Sequence, residues 1–101
     1  MAENQNQNEQ WMLLVFLLDE IRKQKGLSIN DVAERSETPQ GHVSRFFSCK
    51  FEPKFGNFLK FSKAIGVNFF FEDQEGKTNL TLATEQAMEQ LGRRDDKLPK
   101  N

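Results

Sequence analysis

The chain has 101 residues, which is one domain by length, and a formal net charge of −1 that by itself indicates no nucleic-acid partner. Its single cysteine excludes an internal disulfide, and one cysteine with one histidine argues against a zinc site. The apolar run WMLLVFLL (11–18) is far shorter than the roughly 20 residues that span a bilayer. It follows a leader without Lys or Arg, so we expect a cytoplasmic protein with no membrane segment.

Charge is unevenly distributed along the chain. Residues 1–21 carry a net charge of −4, residues 22–63 carry +5 and residues 64–101 carry −2. A basic middle between acidic ends favours a local anionic partner. The alternative explanation is an uneven solvated surface.

Four helices are predicted between residues 10 and 66. Residues 1–10 are polar and low in complexity, and we expect a disordered leader there. The first helix runs from about Gln10 to Lys25 and ends at Gly26. Its apolar residues extend beyond one stripe, which indicates cover on more than one side, by the core and, in a dimer, by a second subunit.

The second and third helices have recognisable starts. Ser28 and Asp31 form a capping box for a second helix that ends near Ser36. Thr38 is the predicted N-cap of the third helix, with Pro39 at its first position. After the connector SCKFEPK comes a fourth helix, closed by a glycine; its residues are Phe55, Phe58, Leu59, Ala64, Ile65 and Gly66.

The pattern changes after residue 67. VNFFFED (67–73), the turn QEGK and TNLTL (78–82) predict a β-hairpin, whose consecutive aromatics place apolar side chains on both faces. Such a hairpin is marginal in water unless something covers it. Residues 84–91 predict a short helix stopped by Gly92, and residues 93–101 a flexible tail.

A tight turn joins the second and third helices, and the first and fourth brace them, which is the layout of a helix-turn-helix. In the third helix Val43, Phe46 and Phe47 face inward. The opposite side carries the predicted base-contacting residues Gln40, Gly41, Ser44 and Arg45, with His42 nearby. Gln pairs with adenine, Arg with guanine and Ser with either, while Gly leaves room for close approach. For His42, an exposed side chain without a role is the alternative.

Four further residues are predicted to contact phosphate. Helix N-termini at Ser28 and Thr38 offer backbone N–H groups to anions. Lys50 and Lys54 follow the third helix and can hold the flanking backbone by charge.

Residues 25–67, KGLSINDVAERSETPQGHVSRFFSCKFEPKFGNFLKFSKAIGV, resemble the XRE / lambda-repressor-like (Cro–repressor) helix-turn-helix family without a gap. The resemblance implies a mainly α, four-helix domain that binds double-stranded DNA, usually as a homodimer. It places the base-facing positions on the residues named above and phosphate-facing ones around Ser28, Thr38 and Lys50.

The sequence departs from the family pattern at three places. Ile29 stands where many members have a Gln that bonds a phosphate. Cys49 stands where a Gly usually follows the recognition helix. Many members pair an arginine of the first helix with a glutamate at the end of the third. The matching positions here are Arg22 and Phe47, so the resemblance implies that this ion pair is absent.

These observations predict a homodimeric repressor of a palindromic operator. The expected organisation is a leader (1–10), a DNA-binding domain (11–67), a hairpin with a short helix for dimerisation (68–92) and a tail (93–101). The dimerisation residues are Phe69, Phe70, Phe71, Leu80 and Leu82; a hairpin packed on its own domain is the alternative. The second function hypothesis is an antitoxin that binds a protein toxin and represses its operon. We expect no enzyme, since the sequence shows no catalytic residues, metal cluster or cofactor motif.

Overall fold

The structure, a computed structural model, describes residues 6–92. It contains five helices, α1 (Asn6–Gln24), α2 (Ile29–Ser36), α3 (Gln40–Phe47), α4 (Phe55–Ile65) and α5 (Leu80–Gln90). The predicted mainly α class is therefore confirmed. The predicted leader and tail fall largely outside the described residues, at 1–5 and 93–101. Within the leader, residues 6–10 belong to α1, which starts four residues before the predicted position.

The chain divides into two compact units, the first ending at Val67 and the second beginning at Asn68. In the first unit, α1 to α4 enclose one apolar core to which every helix contributes. Its buried side chains are Val15, Leu18, Val32, Ala33, Val43, Phe46, Phe58, Phe61, Ala64 and Ile65. Burying a large apolar side chain stabilises the fold by roughly 1.5–3 kcal/mol, so this core fixes the angles between the helices.

The predicted signals at the ends of α2 and α4 are confirmed. The backbone N–H of Asp31 donates to Ser28 Oγ at 2.9 Å, and the Ser28 N–H donates to Asp31 Oδ2 at 2.8 Å. These two bonds form the capping box of α2. Gly66 ends α4 in the left-handed region with φ 94°, a conformation that glycine adopts without steric cost.

The predicted start of α3 is wrong by one position. Pro39 is the N-cap, and its carbonyl accepts from the N–H groups of His42 and Val43 at 3.0 and 3.3 Å. The Thr38 hydroxyl does not cap the helix, because it donates to the Ser36 carbonyl at 3.0 Å instead. Proline has no backbone N–H to donate. At a helix start that N–H would have no partner within the helix, so its absence costs nothing there.

The predicted β-hairpin is wrong, since residues 67–79 contain no strand. The Asp73 carboxylate accepts from the N–H groups of Glu75 and Lys77 at 3.0 and 3.1 Å and thereby organises a local turn. Asn79 then accepts from the Leu82 N–H at 2.9 Å and caps α5. TNLTL is therefore a helix start, and the predicted short helix exists but begins at residue 80 rather than 84.

Candidate nucleic-acid interface

A sharp turn between α2 and α3 sets the direction of α3. Glu37 ends α2 in the left-handed region with φ 54°, and its N–H donates to the Glu34 carbonyl at 3.2 Å. The next N–H, of Thr38, donates to the Ala33 carbonyl at 3.0 Å. These bonds satisfy carbonyls at the end of α2 and let the chain reverse within three residues before α3 begins.

The inward face of α3 is held by aromatic packing. Val43 is fully buried and Phe46 is 6% exposed. The ring centres of Phe46 and Phe61 are 4.8 Å apart in an edge-to-face contact. The ring centres of Phe46 and Phe47 are also 4.8 Å apart, with an angle of 87° between the ring planes. Phe47 is half-buried and also lies against Arg22 of α1. The orientation of α3 is therefore fixed by contacts with α1 and α4.

The opposite face of α3 carries the five predicted base-contacting residues, and all five are exposed: Gln40, Gly41, His42, Ser44 and Arg45. The side chains make no hydrogen bond to another of the described residues. A Cβ added at Gly41 would meet nothing within 4 Å, so the start of α3 presents bare backbone at its surface. One amide, one hydroxyl and one guanidinium thus share a solvent-facing surface on a helix of a size that the major groove admits.

The four predicted phosphate-contacting residues have different surroundings. Lys50 and Lys54 are exposed and follow α3. The Ser28 N–H is already donated to Asp31, and the Thr38 N–H to Ala33. These two N–H groups are therefore occupied within the protein, and an anion at either helix start would meet the first N–H groups inside the helix instead.

A groove of about 340 Å³ runs between α3 and the residues that lead into α4. Its lining brings together Arg45 and His42, both predicted to contact bases, and Lys54, predicted to contact phosphate. It also includes Lys60 of α4 and Phe51, whose ring is 64% exposed. Neither Lys60 nor Phe51 was among the predicted site residues. A signal for Lys60 was present, because Lys60 and Lys63 are three residues apart on one helix within the basic segment.

Cys49 occupies the left-handed region directly after α3, with φ 60°. A Cβ in this region is crowded by the neighbouring carbonyl, which explains why glycine suits the position. Cys49 is partly buried against the core. Burial, with a smaller effect of the Asp19 charge, raises the pKa of its thiol, so the reactive thiolate is disfavoured at neutral pH.

A helix-turn-helix family model matches residues 18–71, just over half of the chain. The chain therefore belongs to the XRE/lambda-repressor-like helix-turn-helix family and is a DNA-binding regulator. This family is typically non-enzymatic. The searches of curated proteins and of solved structures each found no match.

The described residues contain neither a membrane-spanning helix nor a metal-binding cluster. No helix among them is long and apolar enough to cross a membrane. No group of three or more His, Cys, Asp or Glu side chains in this part of the chain is placed to hold a metal ion.

Proposed function

We propose that the protein is a homodimeric repressor that reads a palindromic DNA operator with α3 in the major groove. The observation that carries this proposal is the division of α3 into two faces. Val43 and Phe46 are buried in the core, while Gln40, Ser44 and Arg45 stand exposed on the other side. A helix held by one face and polar on the other suits insertion into a groove.

In the proposed complex the exposed residues of α3 contact bases, and residues before and after it contact phosphates. Arg45 contacts guanine, Gln40 contacts adenine, and Ser44 and His42 contact neighbouring base edges. Gly41 lets the backbone approach the bases closely. Lys50 and Lys54 hold the flanking phosphates by charge, and the helix starts at Ser28 and Thr38 lie beside the DNA backbone.

Selection of bound sites from random duplex DNA tests the proposal. We expect a palindrome whose half-sites lie one helical turn, about 34 Å, apart. On that operator Arg45→Ala and Gln40→Ala should each weaken binding by roughly 1–3 kcal/mol per half-site and relax the base preference at one position in each half-site. Lys23→Ala, on α1, is the matched control and should preserve the preference. Unchanged operator binding by both α3 variants would contradict the assigned reading face.

The second unit supplies the proposed dimer contact, although not through a hairpin. Phe70 and Phe71 are 85% and 89% exposed, and Leu80 and Leu82 of α5 are 37% and 48% exposed. With Phe69, 40% exposed, they are the apolar side chains of this unit that a second copy of the chain would cover in the proposed dimer. Phe70→Ser with Phe71→Ser should yield a monomer by light scattering, and a dimer that persists in this variant would place the contact elsewhere.

The alternative function is an antitoxin, which binds a protein toxin as well as DNA. It is favoured by apolar side chains on the outer side of α1, where Leu13, Phe16 and Leu17 are 50–60% exposed. Co-purification with the product of an adjacent gene for a small basic protein would support it. A protein that enriches a palindrome but leaves that product unbound is a repressor alone. In either role it acts on DNA, which is consistent with the cytoplasmic location predicted from the sequence.

A further inference from the structure

A second basic region lies beside the groove at α3. Arg35 at the end of α2 and Lys60 and Lys63 of α4 line a cleft of about 410 Å³, together with Ser36, Glu37 and Ala64. Three cations against one carboxylate leave a net charge of +2. We call this cleft the basic cleft, after its three cations Arg35, Lys60 and Lys63. Arg35, Lys60 and Lys63 are not among the residues predicted from the sequence to contact bases or phosphate.

Two of the three cations of the basic cleft have contacts that position them. Arg35 Nη1 donates to the Ala64 carbonyl at 3.2 Å, which ties the end of α2 to α4. The Nζ atom of Lys60 lies 5.8 Å from the centre of the Phe61 ring. Among the described residues, no salt bridge includes a cation of the basic cleft. The pKa of the Asp31 carboxyl is lowered by its capping hydrogen bonds and, to a smaller extent, by the charge of Arg35, so the positive charge available to an external anion is mainly that of Lys60 and Lys63.

The basic cleft adjoins the proposed reading face through one shared residue. Lys60 lines both the basic cleft and the groove that contains Arg45 and Lys54. The two depressions together hold five cations and, as acids, Glu37 and Glu52, a net charge of +3 with His42 neutral. Positive charge thus continues from α3 along the side of α4.

We propose that the basic cleft binds the sugar–phosphate backbone of the duplex beyond the bases that α3 reads. This inference rests on the proposed function. Duplex DNA carries one negative charge per roughly 1.7 Å of its axis, so cations that continue from a reading helix meet further phosphates. An acidic protein segment is the competing partner for such a cleft. DNA is favoured because Lys60 joins the cleft to the face assigned to base reading.

A salt titration of the 101-residue chain tests this assignment. The probes are two duplexes of about 30 base pairs, one with the selected operator and one with a scrambled sequence. The slope of log K against log salt is negative, and its magnitude should fall by roughly 1.8 for Lys60→Gln and by roughly 3.6 for Lys60→Gln with Lys63→Gln, because a homodimer carries each substitution twice. The loss should be similar on both duplexes, because phosphate contacts carry no sequence information. Lys60→Arg should restore the wild-type slope.

The matched control is Lys77→Gln, an exposed lysine of the second unit whose Nζ lies 4.0 Å from Glu75. It should leave the slope unchanged. Wild-type slopes in folded Lys60 and Lys63 variants would overturn the assignment and favour an acidic protein as the partner of the cleft. A wild-type chain that binds neither duplex would contradict the proposed function itself, so the two failures are distinguishable.

Discussion

The guanidinium of Arg22 lies 5.5 Å from the centre of the Phe47 ring and joins the end of α1 to the end of α3. The same guanidinium donates from Nε to Asp19 Oδ1 at 2.8 Å and from Nη1 to the Leu27 carbonyl at 2.7 Å. A contact between a cation and an aromatic ring therefore stands where many family members have an ion pair with a glutamate, a pair that this sequence was expected to lack. The planar guanidinium can stack on a ring and bond in its own plane at the same time.

Arg22→Ala should destabilise the protein by about 2 kcal/mol. Its side chain is only 12% exposed, and its removal leaves the Leu27 carbonyl and Asp19 without this donor. Arg22→Lys should cost about 1 kcal/mol, since an ammonium cannot stack and bond in two directions at once. Urea unfolding measures both. Lys23→Ala is the control, because the Lys23 side chain is exposed and its ion pairs are long at 3.5 Å, and it should change stability by less than about 0.5 kcal/mol. Equal effects at the two positions would contradict this account.

Cys49 allows the cost of its left-handed backbone to be measured separately from its packing. Cys49→Gly and Cys49→Ala both delete the sulfur, but only glycine relieves the strain at φ 60°. The Gly variant should therefore be more stable than the Ala variant by about 1 kcal/mol in urea unfolding. An Ala variant as stable as the Gly variant would mean that the backbone conformation carries no such cost.

Stability at low pH should depend on Asp31. Its hydrogen bonds from the Ser28 backbone N–H and the Ser28 side chain lower the pKa of the Asp31 carboxyl. A carboxyl with a lowered pKa in the folded state stabilises the protein above its unfolded-state pKa and loses that contribution as pH falls through the folded value. Asp31→Asn should therefore flatten the decline in melting temperature below about pH 4.

Glu34→Gln provides the control for that profile, because Glu34 lies on the same helix and accepts from the Asn30 side chain rather than from a capping N–H. It should reproduce the wild-type acid decline. A wild-type decline in Asp31→Asn would show that the capping box does not contribute to acid sensitivity.

Gly41→Ala should separate stability from DNA binding. Alanine favours a helix by up to about 1 kcal/mol over glycine, and the added methyl meets nothing within 4 Å, so the melting temperature should rise. On the proposed reading face the same methyl blocks close approach, and operator affinity should fall roughly tenfold, or 1.4 kcal/mol. Gly56→Ala in α4 has equally open surroundings and should raise stability without this loss. Full operator affinity in Gly41→Ala would remove Gly41 from the interface.

The parts of the fold that were predicted correctly depend on local signals. The Ser28–Asp31 box and the glycine at residue 66 act within a few residues of their own position, so their types identify helix ends directly. Val43 and Phe46 follow helical spacing and are buried as expected. The exposed face of α3 then follows from the helix geometry alone.

The errors arose where one pattern fits two structures. TNLTL alternates like a strand, but Asn79 caps a helix and the same alternation suits its first turn. Three consecutive phenylalanines suggested a covered strand, whereas Phe70 and Phe71 are almost fully exposed. Lys60 lines both the basic cleft and the groove beside α3 because α4 packs beside α2 and α3. No local sequence signal encodes that packing.

Lys25 binds the end of the first unit, although it lies forty residues before Ile65 in the sequence. Its ammonium donates to the carbonyls of Ile65 and Gly66 at 2.9 and 3.2 Å, next to the boundary between Val67 and Asn68. Carbonyls at the end of α4 are thereby satisfied by the first unit itself. The helix end next to the boundary therefore needs no hydrogen bond from the segment that follows Val67.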